Sequence, residues 1–146
     1  MKKVLLSALL LLSAQPIFAE QDAAEAMVAS KKTADMTYRQ LMEIMGSASA
    51  TIQEGIMREN KQMVIEGVTF ILTHPAPNHK PWMIMKEQDQ AGFKSTLLTF
   101  DKTLDEQAIK VREAVNQSDW ARANSALSEL NSSCIACHAM WRAKVK

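Results

Sequence analysis

Residues 34–60, ADMTYRQLMEIMGSASATIQEGIMREN, space Met36, Leu41, Met42, Met45, Ala48, Ile52, Ile56 and Met57 at helical steps of three and four. This is the period of a helix with one apolar face, and so long a stripe needs other apolar faces to cover it. The same period returns downstream. Residues 61–73 carry Met63, Val64, Val68 and Ile71, and the helix they predict stops at His74-Pro75, because a proline pushes the residue before it out of the helical region. Residues 86–116 carry Phe93, Leu97, Leu98, Phe100, Leu104, Ala108, Ile109, Val111 and Val115 in register. Ser118 is then the expected N-cap of a last helix, with Asp119 in its first turn and Trp120, Ala123, Ala126, Leu127 and Leu130 on its apolar side, running to about Lys144.

Residues 74–82 contain Pro75, Pro77 and Pro81 and read as a stiff connection between the second and third helices. Residues 22–32, rich in Ala and Lys, read either as a helical extension or as a loose arm. No stretch alternates as a strand does, and the whole chain has four glycines. Four striped helices with short connections predict an all-α fold, an antiparallel four-helix bundle.

The N-terminal MKKVLLSALLLLSAQPIFAE has the layout of a secretory signal peptide: two lysines, an apolar run from Val4 to Leu12, then a small-residue cleavage site at Ile17-Phe18-Ala19. The run is too short to span a membrane. Residues 1–19 are therefore set apart and 20–146 read as one domain, periplasmic, with no stable membrane insertion. The whole chain carries 17 Lys and Arg against 16 Asp and Glu. Removal of residues 1–19 takes two lysines and no acid, so the balance stays near zero and gives no electrostatic reason for binding nucleic acid or an anionic membrane.

The only two cysteines stand in Cys134-Ile135-Ala136-Cys137-His138. A disulfide here would close a two-residue loop and stabilise a domain of this size little. A thioredoxin-like pair opens a helix after a strand, whereas this one lies near a helix end. Zinc needs four ligands, and only His74 and His79 remain to join the motif. Haem c answers the spacing directly: two thiols add across the vinyl groups and the next imidazole binds the iron. A haem-free helical module with an accidental CxxCH is the remaining alternative. No constellation for hydrolysis or group transfer appears, so the chain does not read as an enzyme.

The longer stretch CIACHAMWR, residues 134–142, resembles the C-terminal signature of the cytochrome c prime superfamily, CxxCHxx(aromatic)R, and Tyr38-Arg39-Gln40 resembles that family's YRQ segment. The helix order is similar throughout, while the proline-rich middle departs from the pattern. The resemblance implies a bundle of cytochrome c prime type with one covalent haem held by Cys134 and Cys137, and with His138 as proximal ligand. It also implies Arg142 beside the proximal imidazole, Arg39 near the propionates, redox partner proteins, and a homodimer through the first helices, which the sequence itself does not display.

In such a bundle the first helix crosses the other haem face. A methionine there makes a six-coordinate electron carrier; an apolar residue leaves the iron open to nitric oxide or carbon monoxide. Ungapped counting from Arg39 puts that position at Glu43, an unsuitable lid. Met45, which continues the stripe of Ile52 and Ile56, is preferred as the ligand, with Met42 as the alternative. His74 remains open as a distal ligand, although a capping role suits both His74 and His79 better. The expectation is a single-electron carrier with His/Met ligation; the alternative is a five-coordinate gas binder.

Overall fold

Thr37 decides where the first long helix begins. Its hydroxyl accepts the N–H of Gln40, and the Gln40 side chain accepts the N–H of Thr37 at 2.8 Å, a reciprocal capping box. In the computed structural model, which describes residues 15–146, with side chains from residue 22 onward, every regular element is helical: α1 (Gln15–Ser30), α2 (Tyr38–Met57), α3 (Lys61–Thr73), α4 (Glu87–Asn116) and α5 (Trp120–Trp141), with 3₁₀ turns at Pro81–Ile84 and Arg142–Lys144. Most of the expected signal peptide lies outside the described residues. Among them, no helix is long and apolar enough to cross a membrane.

The predicted helix from Ala34 starts four residues late, because the backbone before Thr37 is bonded elsewhere. Ala34 N–H donates to Ala76 O at 2.9 Å, Ala76 N–H to Lys32 O at 3.0 Å, and Asn78 N–H to Met36 O at 3.2 Å. Residues 31–36 are thus a strap paired with the proline-rich connection. The segment before the strap is neither extension nor loose arm. It is a separate fifth helix packed along α4, with Ala24 fully buried and Glu25 held by Lys94 at 2.6 Å and Lys80 at 3.2 Å.

Both three-residue helix turns are built alike. Glu59 (φ 51°) and Ser118 (φ 57°) are left-handed, and the next residue caps the following helix: Asn60 accepts from Met63 N–H, Asp119 from Arg122 N–H. Ser118 is therefore not the cap the sequence predicts; the end of α4 requires it in the left-handed conformation, and Asp119 takes the role. At the other end α5 stops at Trp141 rather than Lys144, where the chain tightens into the 3₁₀ turn and Lys146 N–H donates to Ile84 O at 3.1 Å.

α2 packs on α3 and α5, and α4 on α3 and α5, so these four close a ring. Its core holds Ile52, Ile56, Val64, Val68, Ile71, Val111, Val115, Leu127 and Leu130. Met57, 71% exposed at the end of α2, lies outside this core despite its place in the stripe, as does Ile109 at 36%. A smaller cluster of Trp82, Met85 and Phe93 packs against Tyr38 and Trp141. α2 and α3 approach closely at Gly67, where an added Cβ would lie 2.6 Å from Ile52 Cγ1 and 2.8 Å from the Ala48 carbonyl oxygen. The oxygen is backbone and cannot swing aside. Gly67→Ala should therefore lower stability by about 1–3 kcal/mol, read by urea denaturation.

Candidate haem site

Helical spacing puts Cys134, Cys137, His138 and Trp141 on one side of α5. Both cysteines are free and half-buried. Burial pushes both thiols above their ordinary pKa, and for Cys137 the neighbouring Cys134 adds to it. They are thus protonated thiols at neutral pH, unlike the acidic thiol of a dithiol oxidoreductase.

Both cysteines and His138 border a cavity of about 420 Å³ between α2, α3, α4 and α5, walled mainly by Leu41, Met42, Met45, Ile71, Leu97, Phe100, Leu104 and Leu130. A second cavity of about 670 Å³ opens beyond it, lined by Arg39, His79, Phe93, Trp141 and Arg142 among others. The two share Tyr38, Met42, Cys137 and His138, so they adjoin along α5. Both volumes fall in the range of about 300–1,000 Å³ of small-molecule and cofactor sites.

The residues singled out from sequence are distributed unevenly around this space. Met42 borders both cavities, while Met45 borders the inner one and also packs against the main core. Arg39 and Arg142 line the outer cavity and are exposed; Arg39 Nε pairs with Glu43 Oε1 at 3.2 Å, both side chains facing solvent. His138 is exposed at the junction. Trp82 is core, whereas Trp141 stands edge-on to Phe93 with centroids 5.5 Å apart, its buried indole N–H without a hydrogen-bond partner.

Neither remaining histidine is free. His79 Nε2 accepts the Tyr38 N–H at 3.2 Å and so holds the first turn of α2. His74, the residue that ends α3, lies with Nε2 3.4 Å from Asp101 Oδ1 and with Lys31 Nζ 3.1 Å from its ring nitrogens; Lys31 also donates to Asp101 at 2.9 Å. Sequence reading did not find this cluster. One signal was present: Asp101, between Leu97 and Leu104, stands in the inward stripe of α4, where an acid needs a partner. Lys31, 70 residues away, carried no such mark.

No protein-family model matches the chain, and no curated protein or solved structure matches it significantly.

Burial and the Lys31 ammonium lower the His74 pKa from 6.5 to about 4, against the opposing pull of Asp101. The unfolded chain therefore binds this proton first as pH falls, and the contribution present above pH 6.5 is lost between 6.5 and about 4, on the order of 3 kcal/mol. Urea denaturation at pH 7 and pH 4.5 should show a larger loss for the wild type than for His74→Gln.

Proposed function

We propose that this chain is a periplasmic monohaem c-type cytochrome that carries single electrons, folded as a four-helix bundle of cytochrome c prime type with an added N-terminal helix. The observation that carries the reading is the convergence of Cys134, Cys137 and His138 with Met42 and Met45 on one largely apolar cavity. When bound, haem supplies a one-electron iron couple. Cys134 and Cys137 would hold its vinyl groups as thioethers, with His138 as the proximal ligand.

Between the two candidate distal ligands Met42 takes precedence, although its place in the stripe is less regular than that of Met45. Met42 shares both cavities with His138, whereas Met45 is partly committed to core packing. A thioether ligand and an apolar wall both favour the reduced, less charged state. Arg142, beside His138 on the outer cavity, and Arg39 at its rim supply positive charge where carboxylates of the bound group would need it. Ile135, 68% exposed within the motif, leaves an apolar contact for a redox partner protein next to the thioether positions.

The spectrum of the reduced protein tests the reading. Wild type should be low-spin and unreactive toward carbon monoxide. Met42→Ala should become high-spin, bind carbon monoxide and fall in potential, while Met45→Ala keeps the low-spin spectrum. A wild type that is high-spin and binds carbon monoxide at once would replace the carrier with the five-coordinate gas binder.

A further inference from the structure

Electron carriage as described above makes no use of the Lys31–His74–Asp101 cluster. Its members come from the strap, the end of α3 and the middle of α4, and His74 and Asp101 line the same inner cavity as Cys134, Cys137 and His138. The His74 side chain is 9% exposed, while Lys31 at 18% and Asp101 at 16% keep a route to solvent. The other titratable groups facing it are Asp105 from α4, Tyr38 from α2, and Cys134, Cys137 and His138 from α5. Asp105 is itself pushed toward its protonated form by burial and by Asp101. Among these groups His74 alone is a neutral base held between a cation and an anion.

We propose that the Lys31–His74–Asp101 cluster takes up a proton when the group in the cavity gains an electron, so that electron transfer is coupled to proton transfer. The inference rests on the haem reading. With haem bound, one electron from a redox partner would reduce ferric iron to ferrous, and one proton from solvent would bind His74 Nδ1. The imidazolium then pairs with Asp101 while the Lys31 ammonium gives way toward water. Reoxidation releases both, and no other bond is made or broken.

The size of the effect follows from the cavity. His74 and His138 border the same cavity of about 420 Å³, and the coupling is sized for charges on the order of 10 Å apart. At an effective dielectric of about 20, losing one positive charge at that distance strengthens proton binding roughly tenfold. Linkage is reciprocal, so protonation strengthens electron binding by the same factor, about 59 mV for a one-electron couple. Burial and Lys31 hold the site empty at neutral pH, which leaves it free to accept the proton and puts the coupling on the acid side. Removing the Lys31 charge should move it toward neutrality.

The test uses the haem-loaded protein. His74 is titrated by proton NMR in both oxidation states, and midpoint potential is followed against pH in wild type, His74→Gln and Lys31→Met. The expected result is a His74 that binds its proton about tenfold more tightly in the reduced protein. The wild-type potential should rise on acidification by about 59 mV more than that of His74→Gln, with the rise displaced to higher pH in Lys31→Met. Equal His74 titration in both states, or a His74→Gln profile superimposable on wild type, would overturn the coupling while leaving the carrier intact. A protein that binds no haem overturns both.

Discussion

Leu127 and Leu130 are the last side chains of α5 that the main core encloses, and one turn further the same side of the helix carries Cys134, Cys137 and His138 along a space no side chain fills. Helical periodicity fixes the side of α5 on which these residues stand, and the cavity they border there is lined by two thiols and an imidazole. Around that opening α2 contributes methionines, α4 contributes Leu97, Phe100 and Leu104, and α3 closes the wall with Ile71. Close packing at Gly67, one helical turn before Ile71, keeps α2 and α3 together next to this wall.

The fifth helix and its strap line neither cavity but pack behind the inner one, against α4 and against His74 and Asp101. α1 is tied to α4 and the connection by Glu25, Lys94 and Lys80, and Lys94 also lies 4.6 Å from the centre of the Trp82 ring. Individually such partly exposed pairs contribute little. Combined with the backbone bonds between the strap and residues 76–78, they place Lys31 against His74 and Asp101. The strap therefore connects an element peripheral to the ring with the one charged cluster found at the inner cavity among the described residues.

Much of this was legible in the sequence, for physical reasons. Long stripes of Ile, Leu, Val and Met against charged neighbours announce α2 to α5, and His74-Pro75 marks the end of α3 to the residue. α1 was ambiguous because its inward side is chiefly alanine: Ala24 is buried and Val28 partly so, too little contrast for a periodic signal. The α5 cap was misplaced by one residue because Ser and Asp are equally good caps, and the left-handed turn after α4 makes the choice. Met57 continues the period but sits where the helix leaves the core. At the site, the thiols and imidazole could be read from CxxCH. That Met42 borders both cavities and Met45 only the inner one could not, since both share the inward face and differ in which neighbours three-dimensional packing brings to them.

The central claim is that Cys134 and Cys137 hold a covalent haem, and the intact mass of the protein under denaturing conditions, after expression with residues 1–19 in place, tests it most directly. The expected mass is that of a chain beginning at Glu20 plus one haem, with the haem mass lost when both cysteines are replaced by alanine. The mass of the bare polypeptide, with two thiols open to alkylation after expression in a cell that attaches haem to other proteins, would contradict it.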